Sequence, residues 1–239
     1  IYPPMQVFNI PYLFKDQSEA WAIFDSEYTR ELGEEMRRAT GIRLLTLADN
    51  GLRHFTNSLR PIRRPEDMRG MKIRIQPGPL YETLVRSLGA SASPIPWLEL
   101  PSALQQRVVD GQENGVTNIL AASLHRFQRY ITLDGHVYSY HAYLINDAFY
   151  SRLTPQQREI VDRGIDIAKW IHRGMTAAQD LNAQTILEGF GMQVTPLTPA
   201  EVDAFRQATQ PAVVQWLRGE VGARWVDGLL AAVEEYRSR

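Results

Sequence analysis

The sequence predicts an α/β protein built as two lobes with one long helix spanning them. Three observations carry that prediction. Stretches with strand alternation are interleaved with stretches of helical periodicity along all 239 residues. Residues 71–76, MKIRIQ, give the clearest alternation: Met71, Ile73 and Ile75 are apolar, and Lys72, Arg74 and Gln76 polar. From Thr154 to about Gly189 one apolar stripe continues for about 35 residues, roughly 52 Å of helix, which exceeds the width of a small domain.

The elements follow in order. Residues 16–40 form a helix, with Trp21, Phe24, Tyr28, Leu32 and Met36 at helical spacing and Gly41 as its stop. IRLLTLA (42–48) is a strand and RHFTNS (53–58) a second one; the Arg- and Pro-rich segment 59–70 connects to the strand 71–76. A short helix over 79–88 ends at Gly89. ASPIPW is an extended link to a helix over 98–107, with Pro101 in its first turn. GQENGV (111–116) is a strand or strand end, 117–129 a helix, and the aromatic and β-branched run 130–146 one long strand or two short ones. Thr154-Pro155-Gln156-Gln157 is a capping box that opens the long helix. GMQVTPL (191–197) is the last strand. A second capping box, Thr198 to Glu201, opens a helix to about 209, and further helices fill 211–218 and 221–237. Interleaving of this kind favours largely parallel sheets.

A formal net charge of −1 argues against a protein held to nucleic acid by bulk charge. The chain has no cysteine, which removes disulfides, thiol nucleophiles and thiolate metal sites. No phosphate loop, GxGxxG, HExxH or GxSxG signature occurs. His136 and His141 stand five apart in a strand and so on opposite faces, which is not metal-ligand spacing. No metal or cofactor is expected.

Two stretches stand out. Residues 50–74 carry seven basic side chains. Arg60, Arg63, Arg64 and Arg69 fit a solvated loop, whereas Arg53 and Arg74 sit at or in strands, where a guanidinium offers a planar fork that suits a carboxylate. In DGQEN, Asp110-Gly111 is a turn signal; Gln112, Glu113 and Asn114 beyond it are either a solvated turn or a strand end that presents Asn114 to a pocket.

Read together and in order, PYLF (11–14), NGLRHFTNS (50–58), RGMKIRIQ (69–76), LGASASPIPWLEL (88–100), ALQQRVVDGQEN (103–114) and YITLDGH (130–136), followed by the long helix, resemble a known family. It is the solute-binding proteins of tripartite ATP-independent periplasmic (TRAP) transporters, of the C4-dicarboxylate-binding type. The resemblance implies a two-lobed, type II-like periplasmic binding protein whose lobes close on a ligand by hinge motion. On these boundaries one lobe takes residues 1–50 and 140–180 with helix 155–189 bridging, and the other takes 51–139 and 181–239 with the anchoring residues. It further implies that Arg74 holds a ligand carboxylate with two parallel bonds, assisted by Arg53 and Asn114, with Trp97 lining the pocket and Tyr138, Tyr140 and His141 near the cleft. The implied function is capture of a small organic acid by a periplasmic monomer and delivery to membrane TRAP permease subunits, with no nucleic-acid partner and no catalysis. The aromatics suggest a ligand with a ring or an apolar body.

Two departures concern the ligand: Gly115 follows DGQEN where the family has Pro, and Pro101 stands where it has Tyr. Family members also carry a strand–helix–strand portion ahead of the PYLF-like stretch, so this chain is expected to be part of a longer protein. Two other readings use the same residues. One is a sensory module that signals by the same closure. The other is an enzyme with Arg74 as substrate anchor and His136 or His141 as general base.

Overall fold

A computed structural model describes residues 2–239, with six strands and ten α-helices. Its framework is two very long antiparallel strands. β1 runs Ile42–Asn57 and β5 runs Tyr130–Asn146, and they pair along their whole length, from Ile42 opposite Asn146 to Asn57 opposite Tyr130. β1 thus joins the two strands expected at 42–48 and 53–58. Asp49-Asn50-Gly51 has the composition of a turn, but the chain carries the strand through it as an irregularity in register between Asp49 and Gly51.

At the Asn57 end the pair widens into a six-stranded sheet ordered β3-β2-β4-β1-β5-β6, with β2 at Lys72–Ile75, β3 at Ser91–Pro94, β4 at Gly111–Gly115 and β6 at Gln193–Pro196. β2 is parallel to β3 and β4, and β6 is parallel to β5, but β1 is antiparallel to both its neighbours. The sheet is therefore mixed, not largely parallel. The segment 91–94, expected as a link, is its edge strand.

Each face has its own core. Phe55, Ile73 and Ile75 pack with Leu80 and Leu84 of α3 (Pro79–Ser87), Phe205 and Val213 of α9 (Pro199–Val221) and Val226 of α10 (Ala223–Arg237). On the other face Ile131 packs with Leu100 and Leu104 of α4 (Leu100–Gln105), Ile119 of α5 (Val116–Ala121) and Leu187 of α8 (Ala183–Gly189). Residues 211–218 are not a separate helix, because α9 continues through Pro211. Proline costs the helix one N–H at that point, and Phe205, Thr209, Val213 and Leu217 still align on one buried face.

Two helices break where the sequence reads continuity. The segment 16–40 divides into α1 (Gln17–Phe24) and α2 (Glu27–Thr40), with Ser26 capping α2 through Thr29 N–H. The long helix is α7 (Pro155–Leu181), which starts at the Thr154 capping box and stops at Asn182, after which α8 resumes. At 27 residues it spans about 40 Å. The first break has a use. Asp25, between α1 and α2, receives Arg173 of α7 at 2.7 and 3.0 Å, and the same guanidinium donates to the Leu47 carbonyl at 2.8 Å. Arg173 is fully buried and pins α7 across β1. Much of the apolar stripe of α7 (Ile160, Ile167, Trp170, Ile171, Met175) stays exposed. Among the described residues no helix is long and apolar enough to cross a membrane.

Gly51 is held at φ +82°, and a Cβ there would meet Asp180 Oδ2 at 2.8 Å and Thr176 Cγ2 at 2.9 Å. Gly51→Ala is expected to destabilise the protein by about 1–3 kcal/mol, read as a lowered urea midpoint at unchanged slope.

Candidate functional site

The site begins on β2. Ile73 and Ile75 face the larger core, so alternation turns Arg74 to the opposite face, level with Ser93 of β3 and Gln112 of β4. That face is polar in sequence yet not solvated here: Arg74 is only 1% exposed. Its one side-chain hydrogen bond among the described residues runs from Nε to the Ile95 carbonyl, 2.9 Å, and it forms no ion pair there. The Trp97 ring centroid lies 5.9 Å from Cζ and covers one side of the fork. Burial pulls the Arg74 pKa down to about 10, with Glu113 opposing and Arg53 adding to the fall, and the group stays cationic at neutral pH. A buried cation without an anion is costly, and a carboxylate on this fork would offset that cost.

Arg53 has a different environment. By register it lies on the other face of the sheet, opposite Gly115 and diagonal to Glu113. Its Nε donates to Glu113 Oε2 at 2.5 Å and its Nη2 to Oε1 at 2.8 Å and to the Glu113 carbonyl at 3.0 Å. The fork expected for a ligand is taken up by this carboxylate. The chain of contacts continues. Glu113 Oε2 lies 3.2 Å from His136 Nε2, His136 Nδ1 lies 2.9 Å from Asp134 Oδ2, and the Tyr12 hydroxyl donates to the same oxygen at 3.0 Å. His136 stacks on Phe55 at 4.2 Å, and Arg53, Glu113, His136 and Asp134 are all buried.

The electrostatics agree with the geometry. Burial alone would lower the Arg53 pKa, but the Glu113 charge reverses that and holds it above its ordinary value. Burial would raise Glu113; Arg53 and the His136 hydrogen bond bring it down to about 2. Burial would lower His136; Asp134 first and then Glu113 push it up to about 9. His136 therefore donates from both nitrogens as an imidazolium between two carboxylates. That leaves no lone pair for the general-base role considered for it.

Asn114 ends β4 beside His54 in register. Its Oδ1 accepts from Gly115 N–H at 3.0 Å and from Asn118 Nδ2 at 2.8 Å, which leaves Nδ2 without a hydrogen bond among the described residues. Glycine after Asn114 has a reason: a Cβ at 115 would lie 2.6 Å from the Asn50 carbonyl oxygen. Trp97 opens a single 3₁₀ turn, Trp97–Glu99, and is partly exposed.

The remaining residues expected near a cleft are placed away from Arg74. Tyr140 packs on Phe8 and Phe24 in the core and donates to the Met5 carbonyl at 2.8 Å. The Tyr138 hydroxyl, 4% exposed as a residue, is tied to Trp21 and Asp49. His141 donates from Nδ1 to the Asp49 carbonyl at 3.3 Å and stacks on His172 at 5.3 Å. The structure thus brings together Arg74, Trp97 and Ile95, puts Asn114 on the same face two residues beyond Gln112, the β4 partner of Arg74, and sets Arg53 two strands away on the other face, committed to Glu113. Glu113, His136, Asp134 and Tyr12 were not anticipated as a unit. The available signal was Glu113 itself, a carboxylate in alternation with Gln112 and Asn114 inside a strand.

The chain matches the family model described as bacterial extracellular solute-binding protein, family 7, over residues 1–219. A relative named "Solute-binding protein" from Verminephrobacter eiseniae is 33% identical over 193 residues, which is 80% of this chain and 57% of that one. The chain thus spans under two thirds of the length of that curated relative. Among solved structures, a TRAP periplasmic solute-binding protein from Ralstonia eutropha with bound (S)-2-acetolactate is 30% identical, with a TM-score of 0.90 over 98% of this chain and 76% of that one. The sugar acid binding protein from Advenella mimigardefordensis in complex with galactonate is 27% identical, with a TM-score of 0.90 over 98% and 75%.

The buried charge chain sets a pH optimum for stability. The folded His136 pKa of about 9 exceeds its ordinary 6.5, so its contribution is full below pH 6.5 and lost as pH rises through 9. His54, lowered to about 4 chiefly by burial, contributes above pH 6.5 and loses that as pH falls through 4. Urea midpoints should therefore peak near pH 6.5 and fall on the alkaline side, and His136→Gln should remove the alkaline fall while costing about 3–5 kcal/mol at pH 6.5.

Proposed function

The chain belongs to bacterial extracellular solute-binding protein family 7, and on that premise we propose that it captures a small organic acid in the periplasm for a TRAP transporter. The acid is a dicarboxylate, a sugar acid or a related carboxylate, and it is handed unchanged to membrane permease subunits by a monomer. The observation that carries this reading is Arg74: a guanidinium 1% exposed at a strand end, with one backbone hydrogen bond and no carboxylate partner among the described residues. Nε is held by Ile95, which leaves the two terminal nitrogens without a hydrogen bond among the described residues and able to take a carboxylate in a fork. Asn114 Nδ2 is a second donor on the same face of the sheet. Relatives of this fold hold acetolactate and galactonate, both carboxylates.

The same geometry couples capture to closure. An open site leaves water on the guanidinium. A carboxylate cancels its charge, and the site can then be sealed without burying an unpaired cation. The lobes expected to close are 1–50 with 140–180, and 51–139 with 181–239, except that α9 and α10 pack with the first of these: Phe8 and Phe24 share one core with Phe205, Val213 and Leu229, and Arg237 pairs with Glu19. β1 and β5 cross between them as paired strands, and their irregularities at Asp49/Gly51 and Arg53/Phe55 are where bending is easiest.

A thermal-shift screen of organic acids tests the reading. An acid at about a hundredfold its Kd should stabilise by about 2.7 kcal/mol and raise Tm by about 5–10 °C. Arg74→Ala should abolish the shift. An equal shift in that variant removes Arg74 as the anchor.

A further inference from the structure

We propose that Asn118, on α5, is a positioning residue of the site. It fixes the Asn114 side chain so that an NH2 group, not a carbonyl, meets the bound acid, and it ties that group to the bulged residue of β1. The proposal rests on the carboxylate-capture reading above and adds to it a residue that acts without touching the ligand.

The argument is one of donors and acceptors. Asn114 Oδ1 accepts from the Gly115 N–H at 3.0 Å and from Asn118 Nδ2 at 2.8 Å. A backbone N–H can only donate, so the oxygen of this amide is held toward residue 115. Its nitrogen is left without a hydrogen bond among the described residues. A proline at 115 would have no N–H to give. Asn118 Nδ2 also donates to Asn50 Oδ1 at 2.8 Å. Both protons of that NH2 are thus used, on two acceptor oxygens at once. Serine or threonine brings one such proton and an ionised aspartate none.

The far end is anchored as well. Asn50 Nδ2 donates to Ser139 Oγ at 2.8 Å, and the Ser139 hydroxyl donates to the Gly51 carbonyl at 3.3 Å. A carbonyl can only accept, so the donors are ordered in one sense from β5 to β4, and no amide among them can turn over without losing hydrogen bonds. Asn50 stands between Asp49, opposite Tyr140, and Gly51, opposite Ser139, and has no β5 residue of its own in the register. It is the extra residue of that irregularity. Its carbonyl oxygen lies 2.6 Å from where a Cβ on residue 115 would sit. The end of β4 and the bulge of β1 therefore meet twice, through the Gly115 backbone and through the Asn118 side chain. A bend of β1 at the bulge would carry Asn118 and, with it, the Asn114 amide.

Asn114 shares its face of the sheet with Arg74, because Gln112, two residues earlier, is level with Arg74. The NH2 held there can take an oxygen acceptor of the acid, from a carboxylate or a hydroxyl, and cannot take a donor such as an ammonium group.

A double-mutant cycle read by calorimetry on the full-length protein tests this, with the acid that gives the largest shift in the screen, galactonate and succinate being tried first. Asn118 is partly exposed on a helix, so Asn118→Ala is expected to fold, which its own Tm checks. Kd should rise about tenfold in Asn118→Ala, and about tenfold in Asn114→Ala, which keeps Arg74. Adding Asn118→Ala to Asn114→Ala should change Kd by less than about twofold, because no amide is left to orient. Equal fold-changes in the two backgrounds show that Asn118 acts on the fold and not through Asn114, and overturn the proposal. An unchanged Kd in either single variant overturns it too. Should Asn118→Ala fail to fold, the cycle with Ser139→Ala, at the far end of the same chain of donors, decides by the same criteria. If no acid binds wild type, the carrier reading falls first and takes this one with it.

Discussion

The structure depends on a buried line of alternating charge, Arg53–Glu113–His136–Asp134, that ties three strands of the sheet together. Arg53 is on β1, Glu113 on β4, and Asp134 and His136 on β5. Each member is buried, so each is tolerable only while its neighbours are present. Tyr12 adds the segment that precedes α1 by donating to Asp134. These side chains fix how the strands approach one another at the widest part of the sheet. They contribute specificity of arrangement more than net stability, because desolvation offsets much of the Coulomb gain.

Arg74 acquires its character from that arrangement. It stands one strand beyond β4, on the opposite face from the Arg53–Glu113 pair. Glu113 spends its carboxylate on Arg53 and His136, and only its field reaches Arg74. Ile95 and Trp97 hold the guanidinium in place without cancelling its charge. Arg74 is thus positioned and nearly dry, without an ion pair among the described residues, and the carboxylate capture proposed above would need little reorganisation there.

The long β1·β5 pair and α7 serve a different purpose. The strands run unbroken from the six-stranded region to a two-stranded ribbon, and Arg173 locks α7 across that ribbon through Asp25 and Leu47. The capture proposed above would then use bending of these continuous elements at their irregular points rather than sliding.

How much of this was legible in the chain itself follows from the range of each signal. Short-range signals were readable. The Thr154 and Thr198 capping boxes, the Gly41 stop, the β2 alternation and the ordered motifs that indicate the family each depend on a few neighbouring residues. They sufficed for an α/β class and for singling out Arg74. The fusion of two strands through Asp49-Asn50-Gly51, the breaks at Asp25-Ser26 and Asn182, and the passage of α9 through Pro211 were not legible, because tertiary packing overrode local propensity at each. The two arginines separate for the same reason. By sequence alone, Arg53 and Arg74 are equivalent strand guanidiniums. Their different roles were decided by which one the fold set against Glu113, a partner sixty residues away whose charge acts only through space.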